Sequence, residues 1–244
     1  MRDHSRRGRT PASFDEADQG LFDVLEDLEN AKNYSEWILE LIAPHVSGRI
    51  LEVGAGRGTY STYFADHGHL TALEPSQAHS SALRERLKDH PNVVVINAKL
   101  DGTAAPGSYD TVVLLNVLEH IPDDHQALGD IYESLAPGGK MILWVPAFEA
   151  LYGKFDHRIG HYRRYRRNQL LALVHKVGFQ QVTARYNNVP GFFAWWLIVR
   201  ILGKTPTGRL AAVSDRYFVP VIRRVERLVR PPLGQSLLVV AQRS

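Results

Sequence analysis

The segment Ile50-Leu51-Glu52-Val53-Gly54-Ala55-Gly56-Arg57-Gly58 constrains this chain more than any other. Its apolar start reads as a buried strand. The glycines that follow let the backbone turn sharply and approach a bound molecule where a Cβ would stand in the way. Such a turn between a parallel strand and a helix lies at the carboxyl edge of an open α/β sheet, where ligands bind. The N–H groups and positive dipole end of the following helix suit an anion, and Glu52 suits an ammonium.

The rest of the chain has the alternation such a sheet requires. Apolar and β-branched runs at 49–53, 69–73, 93–96, 111–115 and 140–145 read as strands, and helical spacing marks 34–46, 60–68, 82–90 and 124–135. Pro91 breaks the third helix, and Pro137-Gly138-Gly139 reads as a stop and turn after the fourth. The expectation is a doubly wound, Rossmann-like parallel sheet covered on both faces, with right-handed crossovers. Beyond it, 170–177 reads as a helix closed by Gly178, and 179–186 and 237–241 as strands able to form an antiparallel edge hairpin. The predicted organisation is a disordered tail over 1–20, an α/β core over 21–186, a helical insertion over 187–234, and a last edge strand over 235–244.

Composition narrows the classes. With 244 residues and 44% hydrophobic content, one substantial core is expected. Lys and Arg number 29 against 26 Asp and Glu, a balance that argues against a nucleic-acid partner. The lack of cysteine excludes disulfides, thiolate metal sites and cysteine nucleophiles, and fits a reducing compartment. The basic opening MRDHSRRGRT is not followed by the apolar core of a signal peptide. The apolar run at 189–202 is interrupted by Pro190, Gly191 and Arg200 and falls short of the roughly 20 residues a bilayer span needs. A soluble, cytoplasmic protein is therefore expected.

Glu74 follows Glu52 at about the 20-residue offset at which an acid meets ribose hydroxyls. The dinucleotide pattern G-x-G-x-x-G fits less well, because the third glycine comes early at Gly58 and Thr59 takes the sixth position. Taken in order, LEVGAGRG, the acid in ALEPS, LLNVLEHI and LAPGGKMILWVP resemble the motifs of class I S-adenosylmethionine (SAM)-dependent methyltransferases, over residues 34–145. The resemblance implies a seven-stranded sheet whose last two strands form an antiparallel edge, with SAM as cofactor and S-adenosylhomocysteine as product. It implies that Glu52, Gly54 and Gly56 contact the methionyl part, Glu74 the ribose and Pro75 the adenine face. Asn116 and Val117 would line the sulfonium region, with His120 at the start of the next helix, and Tyr34 would be the aromatic that closes over the ligand. Where relatives often carry an acid for the adenine amino group, Lys99 stands here, leaving Leu100 to contact adenine through its backbone.

A sulfonium donor is already activated, so a methyltransferase has chiefly to align its reactants, and it needs a base only for some acceptors. Candidate residues for that side lie in 151–165, directly after the fifth strand. His161 reads as general base, Asp156 as its orienter or substitute, and Tyr152 and Tyr162 as acceptor holders. The same His161 and Asp156 serve equally well to hydrogen-bond the loop's own backbone. Arg158 belongs to a basic cluster with Arg163, Arg164, Arg166 and Arg167 that could grip a phosphate or carboxylate, or form a solvated face. The LYG, acid, GHYRRY pattern resembles a subgroup of bacterial methyltransferases. Asp123, Asp124 and His125 follow Pro122 at a helix start, where acids favour the dipole, so no metal is expected.

In 187–234, Phe192 and Trp195 read as acceptor contacts beneath a helical cap. The same apolar content, with arginines at 216, 223, 224, 227 and 230, also suits a homodimer interface or a peripheral membrane contact. The function expected is methyl transfer to O, N or C of a small, apolar or aromatic metabolite. Intramolecular cyclisation of SAM releasing methylthioadenosine, and methylation of a lipid-linked or RNA substrate, stand as alternatives.

Overall fold

In the computed structural model, which describes residues 31–101, 104–203 and 212–244, the apolar runs become one seven-stranded sheet. Its strands are β1 (Gly48–Val53), β2 (Gly68–Leu73), β3 (Val93–Ile96), β4 (Tyr109–Leu115), β5 (Leu135–Pro146), β6 (Gln180–Asn187) and β7 (Ser236–Gln242), in the spatial order β3-β2-β1-β4-β5-β7-β6. The first five are parallel, and β7 runs antiparallel between β5 and β6. The sheet is Rossmann-like with an antiparallel edge, as expected from the alternation of elements. The expected tail over 1–20 and the part of the insertion over 204–211 lie outside the described residues.

The continuous apolar strands have a simple cause: both faces of the sheet are covered, and side chains alternate between them. Leu51, Val53, Val112, Leu114, Leu143 and Val239 enter one core cluster, while Ile50, Val113, Ile142, Trp144 and Val240 enter the other. On the second face lie α1 (Lys32–Ile42), α2 (Ser61–His67) and α3 (Gln77–Arg86), through Ile38, Ile42, Phe64 and Leu83. On the first lie α4 (Asp124–Ser134) and, beyond a short α5 (Lys154–Arg158), α6 (Arg167–Val177), through Leu128, Ile131, Leu170 and Val174.

Several boundaries differ from the sequence reading. Helix α1 stops at Ile42 rather than near Val46, because Pro44 has no N–H for the ladder, and a 3₁₀ turn over Ala43–His45 replaces the last turn. Helix α3 starts earlier than expected, with Ser76 as its N-cap accepting from the His79 N–H at 3.5 Å. The Pro137-Gly138-Gly139 stretch sits inside β5, where a register irregularity between Tyr109 and Thr111 absorbs it and Gly138 takes φ +78°.

The insertion forms α7 (Val189–Trp195), which runs on as a π-helical stretch over Trp196–Ile201, and α8 (Val219–Leu228), preceded by another π-helical stretch over Ser214–Phe218. Val219 and Ile222 of α8 pack on Trp37 of α1. Buried Asp215 accepts from the N–H groups of Asn33 and Tyr34 at 3.1 and 2.8 Å, anchoring this segment to the start of α1. Glu226, also buried, accepts from the N–H groups of Asn188 and Val189, both at 3.0 Å, where β6 gives way to α7. Glu226→Ala strands the buried Asn188 donor and the half-buried Val189 donor and should lower unfolding stability by about 3 kcal/mol in a urea titration; a loss below about 0.5 kcal/mol would show that the two helices are not tied through this carboxylate.

Candidate functional site

Paired registers bring the carboxyl ends of three strands level: Val53 lies beside Leu73 on one side and Leu114 on the other. From this rim the 54–58 turn departs. Gly54, Gly56 and Gly58 have φ of +70°, +57° and +90°, the region that favours glycine. The N–H groups of Gly54 and Ala55 both donate to the Leu73 carbonyl, at 2.8 and 3.0 Å, fastening the turn to β2. A Cβ on Gly54 would come within 2.6 Å of Val117, so a side chain there is excluded by space as well as by φ.

Glu74 extends β2 into the same rim and is buried. One carboxylate oxygen accepts from the Gly56 N–H and the other from the Ser76 N–H, each at 2.8 Å. Asn97 fixes the following backbone by donating to the carbonyls of Glu74 and Pro75 at 2.8 and 3.0 Å. Glu52, also buried, accepts from Ser61 Oγ at 2.5 Å. Burial pushes the Glu52 carboxyl up to about 8 from its ordinary 4.5, against the opposing effect of Ser61 and with the nearby Glu74 charge adding to it.

Beside β1, the end of β4 turns through Asn116, at φ +54°, whose N–H donates to the Trp144 carbonyl at 2.7 Å. Val117 follows over Gly54, and Leu100 packs against the core on this side of the sheet. Tyr34 reaches the rim from α1, wedged edge-on between Trp37 and Trp144, with its hydroxyl 3.3 Å from Ser236 Oγ. His120 ends a 3₁₀ turn over Leu118–His120 instead of beginning the next helix, which starts at Asp124.

The loop after β5 is organised around Asp156, which is fully buried. Its carboxylate accepts from the Gly153 N–H at 2.9 Å, from Arg164 Nε at 2.7 Å, and contacts His161 Nδ1 at 3.0 Å. These partners hold the Asp156 carboxyl below its ordinary value despite burial, whereas burial depresses His161, keeping its imidazole neutral near pH 7. The other ring nitrogen of His161 faces Glu119 Oε1 at 3.8 Å, and its ring meets His120 edge-on at 4.6 Å. Glu119 has no exposed surface, and burial pushes its carboxyl up to about 8. Burial, with His161 adjacent, lowers His120 well below its ordinary value.

The remaining candidates separate. Tyr152 gives its hydroxyl to the His161 carbonyl at 2.7 Å, and the Tyr162 N–H bonds the Glu119 carbonyl at 2.9 Å, so both tyrosines belong to this loop and its partner turn. Arg158 is exposed, with its guanidinium over Phe155, away from the cluster. The arginines do not form one basic face: Arg163 grips the Ile121 and Pro122 carbonyls and Asp124, while Arg164 is buried between Asp156 and the Trp195 ring. Trp195 also donates to the Leu151 carbonyl at 3.2 Å, and Phe192 packs edge-on to Phe148, so the first cap helix closes over the loop. Asp123 caps α4 by accepting from the Gln126 N–H at 2.9 Å. Glu119 is the cluster member to which sequence reasoning gave no role, while Arg164, read there as part of a basic cluster, is instead buried against Asp156; the signal available for Glu119 was an acid beside a histidine shortly after a buried strand.

Residues 25–184 match the sequence model of a family described as a methyltransferase domain. A demethylmenaquinone methyltransferase of Clavibacter sepedonicus is 29% identical over 143 residues, which cover 56% of this chain and 57% of that protein. A ubiquinone/menaquinone biosynthesis C-methyltransferase of Vibrio parahaemolyticus serotype O3:K6 is 24% identical over 149 residues, covering 55% of this chain and 58% of that one. The chain thus spans little more than half the length of these relatives. Among solved structures, a SAM-dependent methyltransferase of Thermotoga maritima, titled a possible histamine N-methyltransferase, superposes with a TM-score of 0.65 over 95% of this chain and all (100%) of its own, at 14% identity. Phosphoethanolamine N-methyltransferase 2 of Haemonchus contortus, in complex with SAM, gives a TM-score of 0.60 at 20% identity, covering 86% and 52% of the two chains. These structures share the fold.

The Glu52 environment has a measurable pH signature. The folded protein keeps this carboxyl protonated up to about pH 8, whereas the unfolded chain ionises it near 4.5, so folding is progressively disfavoured as pH rises through that window. Glu52→Gln removes the ionisation. In urea unfolding at pH 5 and pH 8, the variant should gain stability relative to wild type at the higher pH; a difference that does not change with pH contradicts the buried, proton-bearing state.

Proposed function

The chain belongs to the class I SAM-dependent methyltransferases, and on that premise we propose that it binds SAM along the rim formed by the 54–58 turn, Glu74 and Asn116, and transfers the sulfonium methyl to an O, N or C atom of a small, apolar or aromatic acceptor. The observation that carries this reading is the pair of backbone hydrogen bonds from Gly56 and Ser76 to Glu74. Each carboxylate oxygen uses one lone pair on an N–H and keeps another, so the group is held still and can still accept from two ribose hydroxyls. Glu52 fits an ammonium nearby, since a cation would favour the ionised form that burial alone disfavours.

SAM supplies an activated methyl on a positively charged sulfur, which leaves as a neutral thioether when the acceptor atom attacks in line. The protein's part is orientation and, for hydroxyl, ammonium or acidic carbon acceptors, removal of a proton. Val117 and Asn116 border the methionyl side, and His120 and His161 follow within the same turn-and-loop assembly. Asp156, by fixing His161 Nδ1, directs the Nε2 lone pair of a neutral imidazole for that task, used directly or through a bound ion as argued below. The aromatic side chains of Phe192 and Trp195 support an apolar wall, and the similarity to enzymes named for quinone methylation supports an aromatic-like acceptor.

Isothermal titration should give micromolar binding of SAM and S-adenosylhomocysteine, weakened about 100-fold or more, roughly 3 kcal/mol, by Glu74→Ala or Gly54→Val. Unchanged affinity in both variants overturns the proposed rim. Product analysis separates the chemistry: S-adenosylhomocysteine formed only with an acceptor supports methyl transfer, whereas methylthioadenosine formed from SAM alone supports cyclisation.

A second reading concerns where the acceptor resides. Large apolar side chains stay exposed along the insertion: Phe193, Trp196, Leu197 and Ile201, and, on α8 at helical spacing, Val221, Val225 and Leu228. The opposite face of α8 carries the buried Val219, Ile222 and Glu226, so the helix is apolar on two sides. Exposed Arg216, Arg224 and Arg230 accompany the outer stripe. This pairing of apolar stripe and cations supports contact with an anionic lipid surface that bears the acceptor, and no helix among the described residues is long and apolar enough to cross a membrane. Vesicles containing phosphatidylglycerol should carry the protein in flotation while phosphatidylcholine vesicles do not, and Val221→Glu with Val225→Glu should abolish flotation. A stable dimer in analytical ultracentrifugation with no flotation assigns the stripe to self-association instead.

A further inference from the structure

Among the described residues, Glu119 is a carboxyl whose surroundings leave both of its oxygens without a hydrogen bond. Its carboxylate is wholly buried. Such a group is costly to bury unless something compensates it. Asp156, the other buried carboxylate of the cluster, has Arg164 on one oxygen at 2.7 Å and is fully engaged. What Glu119 faces instead is an imidazole nitrogen, His161 Nε2, at 3.8 Å.

The imidazole is prepared for an electrophile. With Nδ1 of His161 on Asp156 at 3.0 Å, the proton sits on the side of the carboxylate and the Nε2 lone pair points toward Glu119. A carboxylate behind an imidazole is the outer-shell partner that orients metal-ligating histidines and raises their basicity. His120 completes the set: one donor atom each from Glu119, His120 and His161 lie within 4.8 Å of one another. Ligands on a tetrahedral ion with bonds near 2.1 Å stand roughly 3.4 Å apart, so modest side-chain closure brings these atoms to bonding distance. These residues come from two segments that the fold locks together, through the Tyr162 N–H on the Glu119 carbonyl and Arg163 on the Ile121 and Pro122 carbonyls.

We propose that Glu119, His120 and His161 form a binding site for a divalent first-row transition ion, Zn²⁺ being the best match. Two imidazoles and one carboxylate favour such an ion over Mg²⁺ or Ca²⁺, which seek oxygen. Three protein ligands leave a fourth position open. A carboxylate with no hydrogen-bond partner gains a directly bound counter-charge, beyond the longer-range influence of Arg164 and Arg163; the proposed site uses the residues just before Asp123, Asp124 and His125, together with the loop. Within the methyltransferase reading, an acceptor oxygen on the open position would lose its proton more readily, with His161 serving as ligand rather than as base; ion binding itself does not depend on that reading.

The test uses the full chain, without an affinity tag, stripped with a chelator and titrated with Co²⁺ and then Zn²⁺. One Co²⁺ per chain should bind with visible d–d bands diagnostic of low coordination number, and Zn²⁺ should displace it. Glu119→Gln, which retains shape and removes the buried charge, and His161→Asn should each weaken binding at least 100-fold. Asp156→Asn should weaken it about 10- to 100-fold by releasing His161, and His125→Asn, exposed and outside the cluster, should leave it unchanged. Circular dichroism on each variant verifies folding. Failure of the folded wild-type chain to take up one ion, or uptake that survives Glu119→Gln and His161→Asn alike, overturns the proposal. SAM titrations on the same samples keep the outcomes apart: lost metal binding with intact SAM binding defeats this inference alone, and the converse defeats only the cofactor rim.

Discussion

The grip of the Glu74 carboxylate on the Gly56 and Ser76 N–H groups is the constraint on which the rim of the sheet depends. It joins the turn leaving β1 to the end of β2 and to the first turn of α3, three pieces that the parallel register has already brought level. A carboxylate accepts such bonds strongly, and at a buried position the alternative is an uncompensated charge. The glycine backbone is what makes the geometry reachable, because Gly54 and Gly56 occupy a region of φ that a substituted residue resists.

On the other side of the rim, Asp156 has the equivalent task. One side chain sets the start of α5, the tautomer of His161 and the position of Arg164, and Arg164 in turn lies against Trp195 of the cap helix. The loop after β5 and helix α7 are therefore joined through a single buried carboxylate and the arginine it holds.

What the sequence revealed and what it hid follow a physical division. Strand positions were legible because burial on both faces demands unbroken apolar runs, and the adjacency of the 54–58 turn and Glu74 followed from the topology that such runs imply. The start of α3 was missed because Ser76 caps a polar first turn with little periodicity, and β5 was taken to start later because glycines that usually end an element are here absorbed by an irregular pairing. The arginine run misled for a different reason: adjacent residues of one charge were read together, yet the chain turns so that Arg158 faces solvent, Arg163 spans to another loop and Arg164 enters the core. The contact of Glu119 with His161 spans some forty positions of sequence, which no local pattern encodes.

The position of β7 has a consequence for how the molecule is made. Among the described residues it follows every other strand in sequence, yet it lies inside the sheet, with β5 on one flank and β6 on the other. During synthesis, everything through β6 and both cap helices emerges before Ser236–Gln242 does, and β6 has no partner until then. The parallel half can assemble early, but the closing step waits until β7 has emerged, leaving the flank of β5 open as an unpaired edge in the interval. A nascent chain of this topology is thus most exposed to aggregation just before β7 emerges.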